Sequence, residues 1–345
     1  ENDIIYQKSF GYADIKNQKP FNFETTTNIA SVSKTFISVA LMKAIELGYF
    51  SLETDISKIL PFKFQNPYYP SDIVRIKHLV THTSGIIDND SILTKSYNFI
   101  ITDKTEKSSI ELLKEAGLTG GLSDTTLREF LFNYLNTNGK LYSYNNFSNG
   151  KPGKNYIYSN FASALAAYLI ELKSNLTFSD FTHKYILTPL RMNKSDWYIN
   201  NEIKSTRAIL YYNSDLSFPF YTTITYPDGG LVSSASELSI YVKEMIKSLN
   251  GTSTLLSNRT TKKMFRPFFK ESDNILNYDL DKYNNGVFWE IYPDGFIGHP
   301  GGDPGVSSFI EFNKKIGIVF LGNSYIDTSE FKNIIKKYAI KLSEQ

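Results

Sequence analysis

Ile29-Ala30-Ser31-Val32-Ser33-Lys34-Thr35-Phe36-Ile37 is the stretch on which the reading of the fold turns. It carries Ser-x-x-Lys (Ser31, Lys34) and runs into Val39-Ala40-Leu41-Met42-Lys43-Ala44-Ile45-Glu46-Leu47, closed by Gly48. Apolar residues surround that segment on nearly every side, which predicts a helix buried on most faces. A serine in its first turn has the lysine one turn later on the same face, and the helix N-terminus favours a developing alkoxide. The pattern points to a serine nucleophile with an amine beside it. Ser-x-x-Lys recurs at Ser148/Lys151, in an Asn/Gly-rich loop, and at Ser329/Lys332, opening a polar, Lys-rich segment. The apolar setting singles out the first copy.

Composition narrows the chemistry. With 345 residues, the chain can bury a substantial core as one large or two interlocked domains. Thirty-seven Lys and Arg against 35 Asp and Glu leave a net charge of +2, and no long run of one sign occurs, so charge supports neither a nucleic-acid partner nor a strongly basic membrane surface. The absence of cysteine excludes thiol catalysis, disulfides and thiolate zinc sites. The four histidines (His78, His82, His183 and His299) form no His-Glu-x-x-His, and no metal site is expected. Walker and Gly-x-Gly-x-x-Gly motifs are absent, and no cofactor is expected. No run of eighteen apolar residues predicts a membrane span. Glu1 to Tyr6 lacks signal-peptide character and opens on strand-like residues, which suggests a mature or trimmed form.

Taken in order, residues 4–12 read as a strand. Ile76 to Ile86 suits a short helix turning at Gly85. His82 there is a tempting base, but a histidine beside a glycine turn is more often packed and hydrogen-bonded. Residues 88–155 form an irregular insertion with helical segments at Ser109–Ala116 and Thr125–Leu135; it reads as a binding rim or as surface decoration. Pro152-Gly153 leads through Tyr158-Ser159-Asn160 into an Ala-rich helix, and residues 178–193 predict a helix broken at Pro189. Another helix is expected over Ala235–Ser248. The last ninety residues change character: strands at 288–291, 296–299, 306–312 and 316–321, joined by short turns, favour antiparallel pairing. A closing helix runs from about Ser329 to Leu342. Strands at both ends with helices between them suggest a sheet built from the two termini.

A serine nucleophile needs a base, an oxyanion site and a substrate-orienting shell. Gly-x-Ser-x-Gly is absent, so the base comes from an amine, a phenol or an imidazole. Tyr-x-Asn occurs six times, but only Tyr158 combines a preceding Pro-Gly turn with a following Ala-rich helix. His299-Pro300-Gly301 is the single His-x-Gly.

Ser31-x-x-Lys34, Tyr158-Ser159-Asn160 and His299-Pro300-Gly301, in this order, resemble the three motifs of the serine β-lactamase and penicillin-binding superfamily. The likeness is to the branch of class C β-lactamases, DD-peptidases and β-lactamase-fold esterases. His78 to Gly85, Pro189-Leu190-Arg191-Met192 and Gly229 to Ser234 agree as flanking landmarks, so the resemblance covers nearly the whole chain.

It implies an α/β (α+β) fold of the β-lactamase/transpeptidase type. An antiparallel sheet flanked by helices would come from 1–30 and 225–345, and a mostly helical domain from 31–224 would carry the variable insertion at about 88–155, with the active site in the cleft between. The family pattern places a helix and a strand ahead of Ile4 to Tyr12, so either the chain is trimmed or its sheet lacks an edge strand and the helix that covers it.

The resemblance also implies roles. Ser31 attacks an acyl carbonyl; Lys34 and Tyr158 act as base and later as acid, with the Lys34 ammonium favouring the Tyr158 phenolate. Asn160 orients Lys34 and the substrate amide, and the backbone N–H groups of Ser31 and Gly302 form the oxyanion hole. His299 faces the substrate as a donor or positive end, and Gly301 lets the strand approach closely. The implied partner is a small-molecule or peptide substrate: an ester, an amide or a D-amino-acid peptide, with penicillins as slow substrates or covalent inhibitors. Specificity is expected from residues 88–155 and the loop Ser214 to Tyr226. The location implied is the bacterial periplasm or envelope. The rival reading is a catalytically idle penicillin-binding fold used as a binding or scaffold module.

Overall fold

The apolar run after Ser31 forms the helix Ser33–Glu46, with eleven of its fourteen residues buried. Its end follows from Gly48. That residue takes φ +78°, its N–H reaches the Ile45 carbonyl, and the Tyr49 N–H reaches that of Ala44. This paired closure needs a left-handed residue after the helix, which glycine adopts without strain. The Ala-rich helix Asn160–Ser174 packs alongside, its small side chains allowing close approach. Tyr241, on the helix Ala235–Leu249, stacks on Phe36 at 4.1 Å and donates to the Thr35 carbonyl.

This computed structural model describes residues 4–103, 105–122, 124–198 and 201–343. Its main sheet is antiparallel and five-stranded, in the spatial order Gly317–Gly322, Val306–Phe312, Ile297–Asp303, Glu290–Ile291, Asn284–Asn285. Val306–Phe312 is buried along its whole length, because helices cover both faces. Ile310 and Phe312 join the main core with Val242 and Met245, while Phe309 packs with Phe296, Ile318, Ile335 and Ala339 beneath the C-terminal helix Ser329–Ser343. The alternation follows from the two-residue period of a strand.

Two features of the strands shape the cleft. Glu290–Ile291 pairs only as far as Gly298, so the edge of Ile297–Asp303 from His299 onward has no strand beside it on that side among the described residues. A separate ribbon, Thr26–Asn28 with Val232–Ser234, and an Ile29 N–H bond to Leu231 pin the chain as it enters the Ser31 turn. The Gly229 to Ser234 landmark therefore holds that entry. At Gly230 a Cβ would stand 2.8 Å from the Tyr226 carbonyl oxygen, so the turn needs glycine.

Several expectations are corrected. Residues 4–10 form no strand; Ile4, Ile5, Tyr6 and Phe10 are exposed, and only Tyr12–Asp14 pairs, with Lys19–Pro20. Strand propensity without a neighbouring edge leaves the backbone unpaired. The short helix expected to turn at Gly85 stops at Val80, because His82 takes φ +55°. The segment 178–193 is not broken at Pro189: it runs as Phe178–Thr182, a π-turn at His183–Leu187 and Thr188–Leu190, then ends on left-handed Arg191. The irregular insertion contributes Tyr97–Phe99, which pairs antiparallel with Tyr221–Thr223. No helix among the described residues is long and apolar enough to cross a membrane.

Candidate active site

Ser31 lies in a 3-10 turn, Ala30–Val32, just ahead of the buried helix rather than in its first α-turn. Ala30 takes φ +47° there, an uncommon conformation for a residue with a side chain. The turn still brings Lys34 onto the serine. Lys34 is 0% exposed, and its Nζ donates to Ser31 Oγ at 3.1 Å, Asn160 Oδ1 at 2.7 Å and the Asp228 carbonyl at 2.7 Å.

Tyr158 covers this junction. Lys34 Nζ stands 5.0 Å from its ring centroid. The residue as a whole is 37% exposed. Burial raises the phenol above its ordinary value of 10.0; the Lys34 charge pulls it down without cancelling that rise. The Lys34 charge acts toward the phenolate, but desolvation disfavours the anion more strongly.

The Tyr158 loop is held from behind. Asp88 accepts from Ser159 Oγ at 2.7 Å and from the backbone N–H groups of Asn160 and Phe161 at 2.6 and 3.0 Å, capping the Ala-rich helix. His82 is packed and hydrogen-bonded: its ring lies 4.4 Å from that of Tyr158, and its Nδ1 accepts from the Ser159 N–H. Burial and then the Lys34 charge hold its pKa well below 6.5.

The third segment meets the Ser31 turn from across the cleft. A Cβ on Gly301 would lie 2.3 Å from Ser308 Oγ, 2.6 Å from the Ile29 carbonyl oxygen and 3.2 Å from Ser31 N, so only glycine permits this approach. Ser308 Oγ ties the same place together by donating to the Ile29 carbonyl at 2.7 Å. Gly302 lines the cleft with Ser31 and Asn160. His299 is buried, and its Nδ1 stands 2.6 Å from the Pro300 carbonyl. A carbonyl only accepts, so Nδ1 carries the proton. Burial and then the Lys34 charge push this histidine down to about 3. The neutral ring then offers Nε2 as an acceptor.

The other Ser-x-x-Lys copies have structural partners. Ser148 is buried and accepts from Gly150 N and Asn155 Nδ2, while Lys151 faces Asp72. Ser329 bonds Asp327 at the start of the C-terminal helix, and Lys332 pairs with Glu311.

Three carboxyl groups escaped the sequence reading. Asp88 precedes Ser159 by 71 residues, and no local pattern joins them. Asp228 sits before the Gly229-Gly230 turn. Asp303 could have been found, because it follows His299 and Gly301 at the strand period of two.

Against this geometry, the family model described as Beta-lactamase matches residues 1–342. The chain belongs to the Beta-lactamase family. It is similar to penicillin-binding protein 4* of Bacillus subtilis (24% identical, covering 97% of this chain and 68% of that protein) and to Protein flp of Staphylococcus aureus (24%, covering 93% and 57%). The chain thus spans little more than half to two thirds of the length of these relatives. Among solved structures it is similar to the beta-lactamase/D-alanine carboxypeptidase of Yersinia pestis complexed with citrate, with TM-score 0.72 and 18% identity over 98% of this chain and 88% of that one. That likeness establishes the fold: a Beta-lactamase-family sheet flanked by helices beside a helical body. The family is serine-hydrolase-like, and the Ser31, Tyr158 and His299 segments meet in one cleft of this member.

Proposed function

We propose that the chain is a serine hydrolase that passes the acyl group of an ester, amide or D-amino-acid peptide through Ser31, as β-lactamases, DD-peptidases and related esterases do. The observation that carries this reading is the triple bonding of Lys34 Nζ to Ser31 Oγ, Asn160 Oδ1 and the Asp228 carbonyl. As an ammonium, Lys34 has three donors for three acceptors. As a neutral amine, it keeps two donors for Asn160 and Asp228 and turns its lone pair to the serine hydroxyl. Moving one proton leaves every partner satisfied in both states.

In this scheme Ser31 Oγ attacks the acyl carbon and its proton passes to the Lys34–Tyr158 pair. The oxyanion meets the N–H groups of Ser31 and Gly302. The leaving group departs with that proton, giving the Ser31 ester. Water then adds, gives its proton to the same pair, and Ser31 recovers one as the ester bond breaks. Because burial raises its phenol, Tyr158 serves as a relay that receives one proton while passing on another. Asn160 positions Lys34 and the substrate amide. With His299 neutral, the cleft lacks a permanent cation opposite a drug carboxylate, so penicillins are slow substrates or covalent inhibitors. We also place the protein in the bacterial envelope, on its likeness to the Bacillus penicillin-binding protein.

Intact-mass measurement after exposure to a fluorescent penicillin and to an activated phosphonate tests the reading. A single adduct that disappears in Ser31→Ala is expected. No adduct with either probe, together with no turnover of nitrophenyl esters, would instead make the chain an idle penicillin-binding fold used for binding or scaffolding.

A further inference from the structure

The cleft in front of Ser31 is acidic. Asp228 and Asp303 line it together with Ser31 and Asn160. Asp228 is only 6% exposed, and among the described residues its Oδ2 has no hydrogen-bond partner. Asp303 takes a hydrogen bond from Tyr97 at 2.6 Å on Oδ1. Compensation from cations is thin. The three donors of Lys34 are engaged by Ser31, Asn160 and the Asp228 backbone, and His299 carries no charge. Burial pushes Asp228 to about 7 and Asp303 to about 6, and the Lys34 ammonium only partly offsets this. The charges of Asp88 and Asp303 add to the rise at Asp228.

A buried carboxylate oxygen without a donor is costly, and a ligand bringing donors and positive charge relieves that cost. An ammonium brings both in a small volume. Tyr97 belongs to the ribbon Tyr97–Phe99 with Tyr221–Thr223, so the two segments expected to set specificity also hold Asp303 in place.

We propose that Asp228 and Asp303 receive a free ammonium group of the substrate, so that the site prefers aminoacyl amides and esters with an unblocked amine over N-acylated or carboxylate-bearing ones. As a statement about substrates this rests on the acyl-transfer reading above; as a statement about binding it does not.

Alanine p-nitroanilide in both enantiomers, with its N-acetyl and N-succinyl derivatives, offers one leaving group on cationic, neutral and anionic acyl portions. For the accepted enantiomer, kcat/KM should fall in that order, the free amine exceeding the N-acetyl compound by about 10–100-fold, the range for hydrogen bonds to a charged group. Asp303→Asn and Asp228→Asn should each collapse that ratio, mainly through KM. A ratio of one or less in the unaltered protein, or one that survives both substitutions, overturns the proposal. Calorimetry on Ser31→Ala with alaninamide and N-acetylalaninamide separates binding from chemistry. Tighter binding of alaninamide, lost when Asp303→Asn is added, supports the ammonium site, and equal affinity overturns it. If Ser31→Ala discriminates while the unaltered protein takes up no phosphonate and turns over no ester, the ammonium site stands and the acyl-enzyme reading falls.

Discussion

In the proposed mechanism, Lys34 and Tyr158 divide the proton handling according to their surroundings. Burial raises the Tyr158 phenol despite the Lys34 charge, so its proposed contribution lies in the transition state rather than in a resting anion. Tyr158→Phe should lower kcat by about 10²–10⁴, the usual share of general acid–base catalysis, with little change in KM on a nitrophenyl ester; unchanged kcat would remove Tyr158 from the proton path. Asp228 yields a pH prediction. Its folded-state value of about 7 lies above the ordinary 3.8 of an aspartate, so the folded protein holds a proton that the unfolded chain releases between those values. Ionised Asp228 therefore costs stability above pH 7, and that cost fades toward pH 4. Asp228→Asn should raise Tm at pH 8 by a few degrees and change it little at pH 4, as thermal melts at the two pH values would read. His299 acts in the opposite sense. Its value falls from 6.5 to about 3, so the stability of its neutral ring is complete above pH 6.5 and is lost as pH drops toward 3.

At the scale of elements, the cleft depends on two helix entries and one bare strand edge. Asp88 supplies three acceptor contacts to the start of Asn160–Ser174, and loss of such a cap leaves buried donors unpaired. Asp88→Ala should cost about 1–3 kcal/mol in denaturant melts and lower kcat as well, because the same loop carries Tyr158. Gly301→Ala should cut kcat/KM by about tenfold or more, since even a methyl must push the strand off the Ser31 turn; wild-type kinetics in that variant would mean the close approach is dispensable. The elements themselves were largely legible. The Ala-rich helix, the segment Val306–Phe312 and the C-terminal helix follow from local pattern and turn chemistry. The strand expected at 288–291 shrinks to Glu290–Ile291 because Phe288 takes φ +53°, which ends regular pairing.

Across the whole molecule, the C-terminal helix is clamped to the sheet by a buried ion cluster. Glu311, 1% exposed at its side chain, pairs with Lys332 at 2.9 Å and Lys336 at 2.8 Å. Removing both partners leaves an uncompensated buried carboxylate, so Lys332→Ala with Lys336→Ala should destabilise the protein by about 3–5 kcal/mol in urea titration. A loss under 1 kcal/mol would show that apolar packing alone holds the helix. By itself, the sequence determined the buried helix behind Ser31, the antiparallel run of strands near the C-terminal end, and the three short segments that carry the candidate chemistry. Each is a property of neighbouring residues: apolar period, glycine turns and motif spacing. Only the tertiary structure decided the neutral state of His299, the raised phenol of Tyr158, and the meeting of Asp228 and Asp303 before Ser31. Charge and protonation in a cleft depend on burial and on partners drawn from distant parts of the chain, and no local pattern encodes that desolvation.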